Sequence, residues 1–584
     1  GGAWRLMREI RRYQREREGT VTTNFAEVGG FVRTRADLAE PDIQFHFVIA
    51  MVDNHNRTMH WGHGYSLHAC VLKPKSRGSV RLASSDPREA ALIDPAFLAD
   101  RADVETLVRA FGTMRRILPA RPTNVERASP ASRPYNRPVE YNEALDYLLS
   151  LTDMERGFQA SPNPTMNLET MRSLLSRLNN PHLGRPTVHV TGSKGKGTTA
   201  SMIAGVLQRA GNVTGLYTSP HLHSFTERIA IDGDSISPEE FAAGIDAIKD
   251  AVEAERASVH GDVSTFGVLT ALFFWLMRAQ VPRVDWQVVE VGLGGTFDAT
   301  NVIDPPEVAV ITPISLEHTA ILGNTPAEIA KDKSGIIKAG TTAVVGPQKD
   351  PAVIEVVAER CAEVGAKLVD VASLYQYEIL EKFPFGQSFR LIGPNGERKM
   401  RTPMLGTHLV ENAATAVAAA EAIRARGFTI SEQSIVDGIA HVRVPGRLEV
   451  MGQKPLIIAD GAHNGESAAA LATALKEYFQ WRRLFLVIGC NKDKDVREIG
   501  FKLAKLCELI VCCRFNNPRA MDPYQMIQEI GFLGPPAVAE ESVADGLDTA
   551  LSHANEADLV CVTGSLYVVA EAREHILGES VIRR

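Results

Sequence analysis

The chain has 584 residues, of which 45% are apolar and 23% charged, and a formal net charge of −7. That length exceeds one hydrophobic core and implies about two to four domains. The composition excludes a disordered, collagenous or disulfide-stapled chain, and the acidic balance excludes general nucleic-acid binding. The seven cysteines, Cys70, Cys361, Cys490, Cys507, Cys512, Cys513 and Cys561, form no CxxC pairs and several lie in apolar strand-like runs. They read as reduced, buried thiols of a cytoplasmic protein. The longest apolar run, Phe266 to Met277, is too short for a bilayer and reads as a buried helix. No secretory signal is visible, and an opening on Gly1-Gly2 reads as an incomplete or processed start.

In chain order, Trp4 to Glu18 is arginine-rich and reads as a helix with a solvated face. Short strand-like runs follow, punctuated at Gly29-Gly30, Asp53-Asn54, His63-Gly64, Ser76-Arg77-Gly78 and Asp86-Pro87, which predicts an antiparallel sheet; Leu98 to Leu118 then reads as a helix. Residues 24–31, 41–47, 62–64, 74–80, 85–87 and 93–95 (NFAEVGGF, PDIQFHF, GHG, PKSRGSV, SDP and IDP) carry a resemblance. This first block, residues 1–120, resembles the C-terminal, substrate-binding part of the glucose-methanol-choline family of flavin oxidoreductases. No G-x-G-x-x-G stands before it, and where the family's catalytic histidine segment should follow the last helix, a different pattern begins. The resemblance therefore implies an α+β fragment without flavin or catalytic base, with His46, His60, His63 and His68 structural. Residues 121–138 have the proline and polar content of a linker.

Tyr141 to Ser150 and Asn167 to Leu178 read as helices. Thr187 to Val190 then reads as a buried strand, followed by the turn Gly192-Ser193-Lys194-Gly195-Lys196-Gly197 and a helix from Thr198 to Arg209. Strand, glycine turn and helix N-terminus is the context of a phosphate-binding loop: glycines let backbone N–H groups approach an anion, and the helix end adds about half a positive charge. Lys196 can reach the β- and γ-phosphates of a nucleotide, and the Thr198 hydroxyl is placed for Mg2+ or a phosphate oxygen. The spacing departs from G-x-x-x-x-G-K-[ST], because a glycine follows the lysine. A turn that merely joined strand to helix would set two lysines beside a helix N-terminus with no anion to meet.

Val213 to Ser219, Val284 to Val291 and Val308 to Thr312 read as further strands, ending near Ser219, Glu290 and Glu317-His318. A second α/β unit begins near Val444, with strands at Leu456 to Ala459, Leu484 to Ile488, Leu509 to Cys513 and Leu559 to Val562. Strands alternating with helices predict doubly wound parallel sheets with ligands at the carboxyl ends of the strands. Phosphoryl transfer to a carboxylate needs a phosphate cradle, Mg2+ and a held nucleophile. Glu290 fits a metal ligand at a strand end, Ser219 can add a hydroxyl, and His318 reads either as a ligand or as a loop histidine.

The stretches 190–198, 218–222 with 227–229, 290–301, 317–318, 329–336, 406–412, 445–449, 460–464 and 563–565 occur in order over about 440 residues. Through them residues 140–578 resemble folylpolyglutamate synthase and the bifunctional dihydrofolate synthase, members of the Mur ligase superfamily. The resemblance implies an ATP-binding Mur ligase central-type domain at 139–443 and a smaller Rossmann-like C-terminal-type domain at 444–584. The implied reaction joins L-glutamate to a folate or dihydropteroate carboxylate through an acyl phosphate, using ATP and Mg2+. Gly192, Ser193, Lys194, Gly195, Lys196, Gly197 and Thr198 would cradle ATP. Ser219 and Glu290 would hold one Mg2+; Glu290, His318 and a carbamylated Lys333 would hold a second. Asn412, Arg447, Asp460 and His463 would meet the nucleotide. The pterin would lie near the loop from Thr218 to Ile229. The family often has Thr-Asn where Ser193-Lys194 stand, and Phe-Glu where Phe266-Gly267 stand. A monomer is expected, with small-molecule substrates and no nucleic-acid or membrane partner. The competing readings are another Mur-type amino-acid ligase, a flavin-dependent alcohol or choline dehydrogenase, and a fusion whose first block is an interaction module.

Overall fold

The computed structural model describes residues 28–35, 38, 40–48, 51–53, 58–60, 66–81, 91–117, 141–151, 164–280 and 283–578. The helix expected over Trp4 to Glu18, His63 and the linker at 121–138 lie outside the described residues. The chain divides into two compact units, Gly1–Tyr135 and Asn136–Arg584.

In the first unit, Val28–Val32, Ile43–Val48 and Ser66–Val71 form a three-stranded antiparallel sheet with the middle segment central. The helix Arg101–Ile117 lays Leu107, Ala110 and Met114 against Ile43 and Phe45, a spacing of three and four that puts them on one helical face. Asp103 in its first turn accepts the N–H groups of Lys75 and Ser76, each at 2.8 Å, and so fastens the segment before Gly78 to the helix start. His46 and His68 are cross-strand neighbours within this sheet. Leu67, Ala69 and Val71 face inward, so the two-residue period of the strand turns Cys70 outward. That corrects the expectation that the thiols are buried; Cys507, at the first position of its strand, is half-buried, and the other five are buried and free.

In the second unit, β-branched runs build a sheet of eight strands. Across it stand Asp234–Ser235, Ile229–Ile231, Thr214–Tyr217, Trp286–Glu290, Thr187–Thr191, Val308–Ile311, Thr342–Val345 and Lys367–Asp370. The six strands from Thr214–Tyr217 onward run parallel; the first two are an antiparallel edge. Thr187–Thr191 and Trp286–Glu290 are adjacent, buried throughout, and deliver the glycine loop and Glu290 to the same end of the sheet. The helix Thr265–Ala279 is apolar on nearly every side and buried. The alanine-rich helix Thr407–Ala425 shares one core with the loop's helix, Lys196–Arg209. A three-stranded antiparallel sheet, Gln376–Phe383, Gly386–Gly393 and Gly396–Thr402, has no counterpart in the sequence reading.

The C-terminal sheet runs Glu449–Gln453, Leu456–Ala459, Leu559–Thr563, Leu484–Ile488, Cys507–Cys513, Ala537–Glu540; the first strand is antiparallel and the rest parallel. Among the described residues no helix is long and apolar enough to cross a membrane.

Candidate active site

The glycine loop is shaped by what crowds it. Gly195 has φ 82°, and a methyl group there would lie 2.5 Å from Asn412 Oδ1, which places the Asn412 amide against the loop. A methyl at Gly192 would overlap the Thr312 hydroxyl, and one at Gly197 would lie 3.1 Å from Glu290 Oε2. Helix Lys196–Arg209 begins without a side-chain cap, so the N–H groups of its first turn precede the first helical hydrogen bond and can face an anion. Ser193 and Lys194 differ from the expected cradle: both backbone N–H groups donate to Pro313 O, at 3.0 and 3.1 Å, and Ser193 Oγ donates to Ser315 O. Their backbone holds the loop to the neighbouring strand end, and only the Lys194 side chain remains for a ligand. Burial lowers the proton affinity of that side chain, with the Glu317 and Glu466 carboxylates opposing.

Glu290 is 3% exposed and its Oε2 accepts the Ser219 N–H at 3.0 Å. Burial pushes its carboxyl up to about 7, against the pull of Lys196 and of the Ser219 N–H. A buried carboxylate facing a basic loop fits a hard cation, which would supply the missing charge. Among the described residues no three carboxylate, histidine or cysteine side chains converge. Mg2+ keeps several waters and takes one or two carboxylates, so Glu290 with a neighbouring hydroxyl is a donor set that could hold it. Thr198, which is buried, follows Gly197 in the same first turn.

Lys333 ends the helix Pro326–Lys333 and is 1% exposed. Its Nζ donates to Gly192 O at 2.9 Å and pairs with Glu317 Oε1 at 2.9 Å. Burial lowers its proton affinity and the Glu317 charge opposes that shift. The sequence reading set His318 beside Lys333; the ammonium's ion-pair partner is the residue before it, Glu317. His318 itself is exposed and left-handed, with φ 47°, where it opens the short helix Thr319–Leu322.

From the C-terminal domain, Asp460 accepts Leu448 N at 2.9 Å and Ala462 N at 3.0 Å, bracing the turn that carries Arg447. Burial raises the Asp460 pKa while the Arg447 guanidinium pulls it down. A methyl at Gly461 would meet Arg447 Nη1 at 2.7 Å, so the guanidinium passes over bare backbone. His463 Nδ1 lies 2.9 Å from Gly461 O, and burial favours its neutral form. On the other flank, Glu227 accepts the N–H groups of Leu222, His223 and Ser224, each at 2.9 Å, and Arg228 Nε donates to His221 Nδ1 at 2.9 Å. Glu317 and Glu227, which the sequence reading named within motifs but gave no role, and Pro313, which it did not name, are the additions the structure makes; a carboxylate directly before His318 was the available signal for the first.

Residues 257–420 match the Mur ligase middle domain, 446–566 the Mur ligase glutamate ligase domain, and 74–161 GMC oxidoreductase. The chain is 35% identical over 424 residues to the dihydrofolate synthase/folylpolyglutamate synthase of Bacillus subtilis, covering 70% of this chain and 94% of that protein. It is 38% identical over 440 residues to a probable bifunctional folylpolyglutamate synthase/dihydropteroate synthase of Haloferax volcanii, covering 74% of this chain but only about half, 50%, of that protein. The Mycobacterium tuberculosis folylpolyglutamate synthase solved with ADP and AMPPCP superposes with a TM-score of 0.65 at 33% identity, over 74% of this chain and 98% of that one. The relation to the Bacillus protein, nearly end to end on its side, puts the ligase unit beyond fold likeness alone: the chain belongs to the folylpolyglutamate synthase/dihydrofolate synthase family.

Proposed function

We propose that the protein uses ATP to join L-glutamate to the carboxylate of a folate or of dihydropteroate. The observation that carries this reading is the convergence of three groups: the uncapped helix start at Lys196, the buried Glu290 carboxylate against Gly197, and the Arg447 guanidinium of the C-terminal domain, whose charge acts on both Glu290 and Lys194. Residues 139–443 are the ATP-binding domain in this reading and 444–584 the second domain.

The acceptor carboxylate attacks the γ-phosphorus of ATP, the bond to the β-bridging oxygen breaks, and ADP leaves. The glutamate amine then attacks the acyl carbon of the resulting acyl phosphate, loses a proton, and inorganic phosphate departs from the tetrahedral intermediate. Lys196 supplies positive charge where the transferring phosphoryl group gains negative charge. The first-turn N–H groups at Lys196 to Thr198 and the Lys194 side chain hold phosphate oxygens, while Asn412, Arg447, Asp460 and His463 fix the nucleotide. Ser219 and Glu290 would hold one Mg2+, and Glu290, His318 and Lys333 a second. Bound Mg2+ would neutralise phosphate charge and orient the phosphoryl group. The carbamate on Lys333 is supported by its buried amine, whose lowered proton affinity frees the nitrogen lone pair to take up CO2 with loss of a proton. An ammonium there would repel a metal; the carbamate gives it anionic oxygens. The first block adds no redox chemistry in this reading.

A screen of ADP release with dihydropteroate, tetrahydrofolate and nucleotide-sugar acids as acceptors tests the assignment. Release that depends on a pterin and on glutamate is expected. Release only with a nucleotide-sugar acid would transfer the chain to another Mur-type branch.

A further inference from the structure

The loop from Thr218 to Ile229 and the turn at Gly446 to Leu448 are joined by a run of side chains, buried at His223 and Arg573, that the chemistry above does not use. His223 Nδ1 lies 3.1 Å from Glu574 Oε1, and its Nε2 lies 2.6 Å from Arg573 Nη1. A guanidinium only donates, so Nε2 is the bare nitrogen and Nδ1–H donates to Glu574. Arg573 Nε donates to both oxygens of Glu449, at 3.1 and 2.9 Å, and Glu449 Oε2 accepts the Gly446 N–H at 2.8 Å. The side chains of His223 and Arg573 are 5% and 9% exposed. Leu222 packs beside them on the C-terminal core that contains Val568 and Val569.

Each end of this run carries a residue assigned to a different substrate. The turn is left-handed on both flanks of Arg447, with φ 69° at Gly446, which glycine adopts freely, and 45° at Leu448, where a leucine is strained, so its position depends on what holds it. The loop is stiffened where the N–H groups of Leu222, His223 and Ser224 converge on Glu227, beginning three residues after Ser219, whose N–H meets Glu290.

We propose that His223 and Arg573 are positioning residues that make the acceptor loop and the Arg447 turn move as one body, so that nucleotide and acceptor each tighten the binding of the other. This rests on the ligase reading, in which Arg447 meets the nucleotide and the loop faces the acceptor.

The test is calorimetric titration of dihydropteroate into the full chain with and without saturating AMPPCP and Mg2+, and the reciprocal titration of AMPPCP. In the unmodified protein AMPPCP should tighten the acceptor about fivefold or more, with the same factor in reverse. His223→Phe keeps the ring and leaves Arg573 on Glu449; it should cut the factor below about twofold while each ligand alone binds as before. Arg573→Lys, which cannot span Glu449 and His223 together, should do the same, and the double variant should be no worse than either single one. A folded variant that keeps the full factor, or loses affinity for each ligand alone, overturns the proposal. So does failure of both variants to fold, which would make the contact a matter of stability only. If the unmodified protein binds neither ligand, the ligase reading fails instead; if it binds both with no mutual tightening, the coupling fails and the ligase reading stands.

Discussion

Gly197→Ala separates stability from catalysis at the centre of the site. Gly197 is the second residue of the helix Lys196–Arg209 and lies outside the positive-φ glycines, so an alanine suits its backbone. Alanine is favoured over glycine within a helix by about 1 kcal/mol, and somewhat less in a first turn. The close neighbour of the added methyl is Glu290 Oε2 at 3.1 Å, a contact that the carboxylate relieves by shifting a few tenths of an ångström. The two terms nearly offset, so the folded protein should be neutral or more stable by up to about 1 kcal/mol. The same methyl stands between the carboxylate proposed to hold Mg2+ and the loop proposed to hold phosphate. Turnover should fall by about two orders of magnitude, a barrier increase of about 2.7 kcal/mol. Denaturant melts and initial rates of ADP release on the same preparation decide it. A Gly197→Ala protein that turns over within about threefold of the parent would refute the placement of substrate between Glu290 and the loop. Gly195→Ala is the internal contrast: with φ 82° and Asn412 Oδ1 at 2.5 Å from the methyl, it should lose about 1–3 kcal/mol of stability as well as activity.

Other outcomes follow from the same geometry. Lys196→Ala should nearly abolish ligation with an unchanged melt, because the loop backbone is held from Pro313 and Asn412 rather than by that side chain. Glu290→Gln should be worse than His318→Ala, since the first removes a buried charge assigned to both Mg2+ sites and the second an exposed ring. Lys333→Ala should be weakly active and partly restored by a small carboxylic acid, with intact-mass spectra in bicarbonate checking the modification. His189, buried beneath the loop with its Nε2 at 2.8 Å from Thr300 Oγ1, is pushed down to about 3 by burial. Between about pH 6.5 and that value the unfolded chain binds a proton that the folded chain refuses, so stability should fall as pH falls through this window; His189→Leu should flatten that slope in pH-dependent melts. A truncated protein beginning near Arg137 should keep full ligase activity, and the whole protein should purify colourless.

The site was legible where its chemistry is written in contiguous residues. Glycine spacing marks the loop, and a β-branched run ending in Glu290 marks a strand end, because phosphate approach and parallel pairing both constrain local sequence. What escaped is long-range. No local pattern says that the Ser193 and Lys194 N–H groups turn to Pro313, or that Lys333 pairs with Glu317. The run Gly393-Pro394-Asn395-Gly396 is the local turn signal for the hairpin that ends at Thr402, with Pro394-Asn395 as its loop. Cys70 faces outward because alternate residues of a strand with one buried face must do so, whatever their neighbours' hydrophobicity.

The most direct measurement is oxygen tracing through one turnover. Dihydropteroate labelled with 18O in its carboxyl group is incubated with ATP, Mg2+ and L-glutamate, and the released phosphate and the amide product are analysed by mass spectrometry. An acyl phosphate formed at this site passes one labelled oxygen to inorganic phosphate for each glutamate joined. Phosphate free of label alongside amide product, or phosphate release with no glutamate incorporated, would contradict the account.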